Sequence, residues 1–291
     1  MADILYFNGR YTTTDEKVIG VEDRGLQFGD SIYEVVKFLR GMPTFVTPHF
    51  ERMSQGLAAL EIPAPWTAES FGRFCREIVG RAPFPDGLLY IQITRGEATR
   101  RHAWPDGMTP NVISYPRVHT FPDAARKRKG ISLVSVPEQR WRACHLKTTN
   151  LLPNAMARKV AERAGVAEAL FIDGEEVREG ASSSFFAVRD GRVITHTADQ
   201  AILAGVVRDV AIQAALRERI RIDERPIREA ELYELDEAFV TSTSLSVMPV
   251  TSIDGRPVGD GARGPITGRI QRLFDEIEKE EARGREAGGE G

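Results

Sequence analysis

Four tight-turn dipeptides, each between runs of strand-forming residues, constrain the fold of this 291-residue chain more than any other feature. They are Asn8-Gly9, Arg40-Gly41, Asp173-Gly174 and Asp190-Gly191. Such a pair, above all Asn-Gly or Asp-Gly, is typical of two-residue hairpin loops, whose central residues adopt positive φ. Two of the hairpins fall in each half of the chain, and helical patterns accompany them. The sequence therefore predicts an α/β protein of the mixed α+β kind, built from two halves.

A basic, proline-containing segment, HTFPDAARKRKG, separates the two halves. Apolar periodicity predicts helices over residues 49–60 and 68–80 before this segment, and helices alternate with strands after it. The C-terminus is charged and rich in glycine, so it is predicted to be disordered. The predicted division is a small N-terminal α/β domain at 1–119, an interdomain linker at 120–130, a larger C-terminal domain at 131–277 and a disordered tail at 278–291.

Composition argues against several classes of partner and location. The net charge of −3 offers no electrostatic attraction for nucleic acid or for an anionic membrane surface. No apolar run approaches membrane-spanning length, and the N-terminus lacks the basic and apolar regions of a secretory signal. The two cysteines, Cys75 and Cys144, are too few for a disulfide framework. We therefore expect a cytoplasmic protein without nucleic acid, membrane or metal as a partner.

The segment CHLKTTNLLPN places a lysine in an unusual setting. The chain contains 32 Arg but only 7 Lys, and Lys147 lies between an apolar residue and a Thr-Thr-Asn-Leu-Leu run. An amine near apolar groups loses hydration, which favours its neutral, nucleophilic form, whereas arginine stays protonated. Lys147 is therefore a candidate Schiff-base lysine. The alternative from the local sequence is a lysine at a helix entrance whose amine reaches solvent.

Three other features suit pyridoxal 5′-phosphate as a ligand. Glu179, in REGASSSFF, can pair with a protonated ring nitrogen and so let the ring accept electrons. Gly205 leads into a helix N-terminus, where backbone N–H groups favour a phosphate. The hydroxyl-rich stretch TSTS, residues 241–244, directly follows a strand and can donate to the same phosphate. Each feature also has a simpler interpretation: a surface hairpin charge, an ordinary helix start and a plain turn.

The order and spacing of a series of motifs resemble the class IV aminotransferases, which are fold-type IV pyridoxal-phosphate enzymes, over essentially the whole chain up to the tail. Within that class the sequence is most similar to the D-amino acid aminotransferases. The motifs are EDRGLQFGDSIYEVVKF (22–38), HFERM (49–53), YIQITRG (90–96), HLKTTNLL (145–152), REGASSSFF (178–186) and FVTSTS (239–244). The resemblance implies a C-terminal pseudo-barrel domain and a homodimer with active sites at the subunit interface.

The resemblance also assigns roles to residues of this chain. Lys147 corresponds to the lysine that holds the cofactor covalently and shuttles a proton, and Glu179 to the carboxylate that pairs with the pyridine nitrogen. The other assigned cofactor-binding residues are Arg52, Ser183, Ser184, Val206, Val207 and Thr243. Val207 lacks the hydroxyl usual at its position, which removes a hydrogen bond worth about 1–2 kcal/mol. Ser184 stands where the class usually has Asn, and it keeps a hydrogen-bonding group.

Substrate choice is assigned to a tyrosine and a basic pair. Tyr33 lies in SIYEVVK, and Arg100 and His102 lie at i, i+2 spacing in TRRHAWP. In the D-amino acid aminotransferases, such a tyrosine and an Arg-x-His pair from the neighbouring subunit bind the substrate α-carboxylate. An arginine fork suits a carboxylate. From the residues alone, Arg100 and His102 can equally belong to a solvated loop.

The activity implied by the resemblance is transamination between a D-amino acid, such as D-alanine or D-glutamate, and a 2-oxo acid. It would follow ping-pong kinetics through pyridoxamine phosphate. Alternatives on the same cofactor are a branched-chain L-amino acid aminotransferase, an (R)-amine aminotransferase and a lyase of the aminodeoxychorismate type. A non-catalytic vitamin-B6-binding protein is a further alternative, and the combination of a lysine, an acid and phosphate anchors disfavours it.

Overall fold

The computed structural model describes residues 4–283, which fall into two compact units. The segment that carries Lys147 packs with the first unit, although it lies between two elements of the second in sequence. Within the described residues, the first unit comprises 4–120, 146–150 and 278–283, and the second comprises 121–145 and 151–277.

The first unit is built on one six-stranded antiparallel sheet. Its strands are β1 (Ile4–Phe7), β2 (Arg10–Thr13), β3 (Ser31–Leu39), β4 (Met42–Pro43), β5 (Gly87–Thr94) and β6 (Asn111–Val118). They follow the order β2-β1-β6-β5-β3-β4. The turn residues Asn8 and Gly9 have φ of 46° and 89°, and Arg40 and Gly41 have φ of 53° and 76°. Both hairpins predicted in this half are therefore confirmed.

Helices of the first unit supply one side of its core. They are α1 (Arg24–Phe28), α2 (Val46–Ala59) and α3 (Ala68–Gly80). The two predicted helices are confirmed, and α2 begins three residues before the predicted start. The α3 helix begins after a reciprocal capping box between Thr67 and Ser70. Its buried residues Phe71, Cys75 and Ile78 recur at helical spacing and join the core formed by β3 and β5.

The second unit contains one ten-stranded sheet. Its strands are β7 (Ile131–Pro137), β8 (Glu168–Asp173), β9 (Glu176–Gly180), β10 (Ser184–Arg189), β11 (Arg192–Thr195), β12 (Arg221–Glu224), β13 (Ile227–Arg228), β14 (Glu237–Ser242), β15 (Ser246–Ile253) and β16 (Arg256–Pro257). Their order is β12-β11-β10-β14-β15-β7-β8-β9-β13, and β16 pairs with β15. The edge strands β12 and β13 are joined by residues 225–226 alone, a connection that spans only about 10 Å. The sheet must therefore curl until its edges approach each other, as expected for the predicted pseudo-barrel.

Four further helices and one 3-10 helix complete the described structure. They are α4 (Ala124–Lys129), α5 (Leu152–Arg163), α6 (Val206–Arg217), the 3-10 helix (Glu229–Glu234) and α7 (Pro265–Arg283). The α4 helix lies inside the segment predicted as a linker. The α7 helix includes residues 278–283 of the predicted disordered tail, and residues 284–291 lie outside the described residues. Among residues 4–283, no helix combines the length and the apolar character needed to cross a membrane.

A stacked pair of phenylalanines joins two neighbouring strands of the second unit. Phe186 on β10 and Phe239 on β14 are direct cross-strand partners, with ring centroids 4.6 Å apart and ring planes inclined by 8°. Both side chains are fully buried. Because β10 follows the serine-rich turn and β14 leads into residues 241–244, this pair holds together the two strands that carry the predicted phosphate-binding hydroxyls.

Replacing Phe239 by alanine should lower the free energy of unfolding by about 3–5 kcal/mol, because the lost ring leaves a cavity between two packed strands. Chemical denaturation followed by circular dichroism measures the change. Leu216→Ala, on a half-exposed position of α6, is the control and should cost less than about 1 kcal/mol. A cost below about 1 kcal/mol for Phe239→Ala as well would contradict the packing described here.

Candidate active site

Lys147 lies on a short segment that pairs with the beginning of β3. The Tyr33 N–H donates to the Lys147 carbonyl oxygen at 2.9 Å, and Ile32 and Thr148 form an antiparallel bridge. Thr148 is buried, whereas the Lys147 side chain is partly exposed. The segment is therefore an additional partner of β3 held by main-chain hydrogen bonding, which fixes the position from which the lysine side chain departs.

A glycine permits this segment to approach. Gly29 ends α1 with a φ of 66°, in the left-handed region that glycine adopts without strain. A Cβ atom at this position would overlap the Asn150 side chain. A larger residue at position 29 would therefore strain the backbone and displace the segment that carries Lys147.

The Lys147 amine lies against an aromatic ring. Its Nζ atom is 4.2 Å from the centroid of the Tyr33 ring, a cation–π distance. Tyr33 stacks on Tyr90 at 5.7 Å, and Tyr90 stacks on Tyr115 at 5.1 Å, with distances taken between ring centroids. Burial raises the pKa of Tyr90 well above its usual value, so the middle ring remains a neutral phenol. The apolar surroundings predicted for Lys147 thus include the ring of Tyr33, which is the first of three stacked tyrosines.

Arg52 is held by a buried carboxylate on β3. Its Nε and Nη2 atoms donate to the two oxygens of Glu34 at 2.8 and 2.7 Å, a bidentate geometry. Glu34 is completely buried, and its Oε2 atom is also 2.7 Å from the Nδ1 atom of His49. His49 is buried as well. The orientation of the Arg52 guanidinium is therefore set by Glu34.

The charges in this cluster follow from burial and pairing. Burial alone would raise the pKa of the Glu34 carboxyl, but Arg52 and His49 together outweigh burial and hold the pKa well below its usual range. Burial lowers the pKa of His49, and the Glu34 carboxylate offsets only part of that decrease. At neutral pH, Glu34 and Arg52 therefore form an ion pair beside a neutral imidazole.

Glu179, in the second unit, is buried at the end of β9. Its Oε1 atom accepts hydrogen bonds from the Arg140 Nη1 atom at 2.6 Å and from the Leu203 N–H at 3.0 Å. Arg140 also donates to Glu138, and its guanidinium carbon lies 4.5 Å from the centroid of the Phe171 ring. The burial of Glu179 rules out the surface hairpin charge that the sequence left open, and Arg140 stabilises its carboxylate form.

The start of α6 and two hydroxyl groups provide donors that suit an anion. Val206 and Val207 open the helix, and the N-cap residue Gly205 supplies no side-chain hydrogen bond. The first N–H groups of a helix have no acceptor within the helix and carry partial positive charge. The site of a Cβ atom on Gly205 would lie 2.8 Å from the Ser184 hydroxyl oxygen. Thr241, the cross-strand partner of Ser184, has a buried hydroxyl without a hydrogen-bond partner in the described part of the chain.

The two remaining residues assigned to the cofactor have different settings. Ser183 is buried, and its hydroxyl donates to Glu168 at 3.2 Å. Glu168 is completely buried and also accepts from the Ser182 hydroxyl at 2.6 Å, so it holds the serine-rich turn together. Thr243 lies, partly exposed, in the turn between β14 and β15. The Ser183 hydroxyl is therefore hydrogen-bonded within its own turn, whereas Thr243 lies two residues after Thr241 at a partly exposed position.

Arg100 and His102 lie on an exposed loop of the first unit. The guanidinium carbon of Arg100 is 4.5 Å from the centroid of the Phe28 ring, and the His102 ring centroid is 5.9 Å from the same centroid. Arg100 also makes a long, 3.5 Å contact with Gln27. Within residues 4–283, none of the residues described as contacting Arg100 or His102 is also described as contacting Tyr33. The structure thus brings Lys147 and Tyr33 together, and it brings Arg100 and His102 together, as separate groups.

Sequence reasoning missed the partners that support these side chains. For Glu34 and His49 a signal existed, because an acid interrupts the apolar run of β3 and His49 precedes Arg52 at i, i+3 spacing on α2. Arg140 offered no local signal, since it lies 39 residues before Glu179. Thr241 belongs to the hydroxyl-rich stretch that the sequence had singled out.

The first unit has an antiparallel six-stranded sheet, the second a curled ten-stranded sheet, and Lys147 lies between β7 and α5 in sequence. These features are those of a fold-type IV pyridoxal-phosphate enzyme. The chain belongs to the class IV aminotransferase family, whose family model matches residues 31–253. It is 35% identical to the D-alanine aminotransferase of Bacillus licheniformis over 270 residues, 92% of this chain and 94% of that protein.

Two solved structures share the fold. The branched-chain amino acid aminotransferase of Escherichia coli has a TM-score of 0.87 and 24% identity, covering 99% of this chain and 98% of that one. The T.th. branched-chain amino acid aminotransferase, solved with pyridoxamine 5′-phosphate, has a TM-score of 0.87 and 25% identity, covering 96% and 95%. The predicted fold class is confirmed.

The family is dependent on pyridoxal 5′-phosphate, and this chain is a transaminase that uses that cofactor. The donors in the second unit fit a phosphate group, because the unpartnered Thr241 hydroxyl and the first turn of α6 can both donate to an anion. A Cβ atom on Gly205 would lie close to the Ser184 hydroxyl oxygen, so the packing favours glycine at this N-cap.

Glu34→Gln should lower the free energy of unfolding at pH 7 by about 3–5 kcal/mol, because it removes the buried charge that pairs with Arg52 through two hydrogen bonds. The depressed pKa of Glu34 means that the pair contributes its full stability above the unfolded carboxyl pKa, about 4.3, and loses it as the pH falls. The stability difference between wild type and variant should therefore stay nearly constant from pH 7 to about pH 5 and shrink as the pH falls further to about pH 3.

Thermal unfolding of both proteins across this pH range measures the difference. Glu51→Gln, an exposed glutamate next to Arg52 on α2, is the matched control and should change stability by less than about 0.5 kcal/mol. A difference between wild type and Glu34→Gln that is constant with pH would contradict the assignment of the charge pair.

Proposed function

We propose that this transaminase acts on D-amino acids, such as D-alanine or D-glutamate, with a 2-oxo acid as the amino-group acceptor. The observation that carries the proposal is the combination of Tyr33 beside Lys147 with an Arg-x-His loop at Arg100 and His102. The similarity to a D-alanine aminotransferase over nearly the whole chain supports it. An arginine fork binds a carboxylate with two parallel hydrogen bonds, which suits an α-amino acid better than a plain amine.

Lys147 is the proposed catalytic residue. Bound pyridoxal phosphate supplies an aldehyde and a ring that withdraws electrons from the substrate α-carbon. The Lys147 Nζ atom takes the proton from the α-carbon of the donor amino acid and returns a proton in the second half-reaction. The main-chain hydrogen bond from Tyr33 fixes the origin of this side chain, and the Tyr33 ring lies against the amine. A lysine suits this position because its amine can both react with an aldehyde and transfer a proton.

The proposed cofactor contacts divide between charge and hydrogen-bond donors. Glu179 would accept the hydrogen bond of the protonated pyridine nitrogen, and the buried Arg140 is its charge partner. The phosphate would take donors from the first N–H groups of α6 and from hydroxyls of the second unit. The assignment of Arg52 to the phosphate comes from the resemblance to the class, and Glu34 sets the direction of its guanidinium. The proposed contributors on the second unit are Ser184, Val206, Val207, Thr241 and Thr243, together with the main chain of Ser183, whose hydroxyl already donates to Glu168.

We further propose a homodimer in which the Arg100 and His102 loop of one subunit serves the active site of its partner. Within one chain, Arg100 and the main chain of this loop contact Phe28, Gln27 and Arg24, and Trp104 of the loop lies against Arg95. Lys147 contacts Tyr33. An exposed basic loop can offer its charge to an anionic ligand. The substrates are amino acids and 2-oxo acids, and a cytoplasmic location stays a prediction.

The main competing function is transamination of branched-chain L-amino acids. The shared fold with two branched-chain aminotransferases favours it, although their identities of 24% and 25% lie well below the 35% of the D-alanine enzyme. A lyase on the same cofactor would release its product without an amino acceptor. Turnover that depends on a 2-oxo acid, with parallel lines in double-reciprocal plots, therefore separates transfer from lyase chemistry.

Borohydride reduction of the holoenzyme should place the pyridoxyl group on Lys147. Its amine lies beside the Tyr33 ring and forms no ion pair with an acid of the described residues. Lys37 is paired with Glu278, and Lys159 with Glu162. Peptide mapping by mass spectrometry locates the label. Lys159→Ala should keep the label unchanged, and a label on Lys159 or Lys37 in the wild type would refute the assignment.

Arg100→Ala should reduce kcat/KM for D-alanine and D-glutamate by about 30- to 1000-fold, because a bidentate charged contact worth about 2–4 kcal/mol is lost. Turnover of an (R)-amine without a carboxylate should fall much less. Arg101→Ala, its equally exposed neighbour, is the matched control and should have little effect.

Mixing Arg100→Ala chains with Lys147→Ala chains then tests the shared site. Each homodimer should be inactive toward D-alanine, and hybrid dimers should regain activity, because one of their two sites contains both native residues. Hybrids without activity would place the loop at its own subunit's site. Preferred turnover of L-leucine or L-valine, with Arg100→Ala harmless, would overturn the D-amino acid proposal.

A further inference from the structure

The loop that carries Arg100 and His102 has no regular secondary structure of its own. Residues 100–104 are all exposed. An exposed loop of this kind is mobile unless side chains from elsewhere hold its main chain. The precision with which it can present two side chains to a carboxylate therefore depends on a few contacts with the rest of the first unit.

One buried arginine makes two of those contacts. Arg24, which opens α1 and is 3% exposed, donates from Nη1 to the Arg101 carbonyl oxygen at 2.8 Å. Its Nη2 atom donates to the His102 carbonyl oxygen at 3.0 Å. Two consecutive carbonyl groups of the loop are thus bound by one guanidinium, which fixes the orientation of the peptide between them.

The guanidinium is itself fixed by an acid. The Arg24 Nε atom donates to Asp30 Oδ2 at 2.8 Å, and Asp30 also accepts from Arg95 Nε at 2.8 Å. Arg95 is 2% exposed and donates to the Leu60 carbonyl oxygen. Asp30 therefore joins two buried arginines, and one of them reaches the loop main chain.

An aromatic ring connects the same arginine to the side chain of Arg100. The guanidinium carbons of Arg24 and Arg100 each lie 4.5 Å from the centroid of the Phe28 ring. The His102 ring centroid is 5.9 Å from it. Phe28 is therefore a common support for Arg24 and for both side chains of the proposed carboxylate-binding pair.

We propose that Arg24 is a positioning residue for substrate binding: it holds the loop so that Arg100 and His102 can bind the substrate carboxylate. The inference rests on the proposed function, because it needs that loop to bind the carboxylate. Three acceptors around one guanidinium require arginine, since a lysine ammonium cannot reach Asp30 and two loop carbonyls in the same planar geometry. Arg24 thereby sets the preference for substrates that carry a carboxylate over amines that lack one.

Arg24→Lys in the holoenzyme tests the proposal, because it keeps the charge and loses the fork. The KM for D-alanine should rise by about tenfold or more while kcat changes less than about threefold, as expected when ground-state and transition-state binding weaken together. Glutarate, a dicarboxylate without an amino group, should bind about tenfold more weakly in calorimetric titration. The rate at which hydroxylamine reacts with the bound cofactor should stay within about twofold of wild type, because it has no carboxylate.

Two comparisons separate positioning from general damage. Arg269→Lys, which loses a comparable fork to the carboxylate and carbonyl of Glu218 and has no described contact with the loop, should leave glutarate binding within about threefold of wild type. In an Arg100→Ala background, Arg24→Lys should add little further loss of glutarate binding, because two residues that act through one contact are not additive.

The outcomes distinguish this inference from the function on which it rests. If Arg100→Ala weakens glutarate binding and Arg24→Lys does not, Arg24 is no positioning residue and the carboxylate-binding loop stands. If Arg100→Ala has no effect, the proposed loop function fails first. Should Arg24→Lys not fold, Phe28→Leu removes the same support; it should weaken glutarate binding about tenfold, and unchanged binding would overturn the proposal.

Discussion

The hydrogen bond from the Tyr33 N–H to the Lys147 carbonyl oxygen is the contact on which the proposed site depends. It joins a segment that is distant in sequence to the beginning of β3, and the Ile32–Thr148 bridge extends the pairing. Because β3 is paired along its length with β5, the strand that holds the main chain of Lys147 is part of a rigid sheet. Gly29 keeps the approach open, since a side chain there would meet Asn150. A catalytic amine on an unsupported loop would lack this fixed origin.

Buried ion pairs support each group of proposed functional residues. Glu34 orients Arg52, Arg140 stabilises the carboxylate of Glu179, and Asp30 holds Arg24. Breaking such a pair leaves an uncompensated buried charge, so each partner depends strongly on the other. This arrangement explains why the chain tolerates charge in its interior close to the proposed site. Burying these charged groups costs desolvation energy, but each ion pair fixes the orientation of its side chains. A binding or catalytic side chain requires such a fixed orientation.

The parts of the fold predicted from sequence are those determined by local interactions. The hairpins at Asn8-Gly9 and Arg40-Gly41 follow from the positive φ that such turns need, and α3 follows from its apolar periodicity. The pairing of Lys147 with β3 and the curl of the large sheet depend on contacts between distant residues, so local patterns do not contain them. The same holds for the site: motif resemblance assigned its residues, whereas Arg140 and Arg24 act through tertiary contacts that no local pattern marks.

Single half-reactions show whether a carboxylate-binding site selects D-amino acids for proton transfer by Lys147. Holoenzyme mixed with one amino acid and no acceptor, followed at the visible absorption band of the cofactor, reports the first half-reaction alone. D-alanine and D-glutamate should remove the band of bound pyridoxal phosphate and yield the corresponding 2-oxo acid, while L-alanine, L-leucine and L-valine leave the band in place. Faster loss of the band with L-leucine than with D-alanine would show that the site does not select D-amino acids.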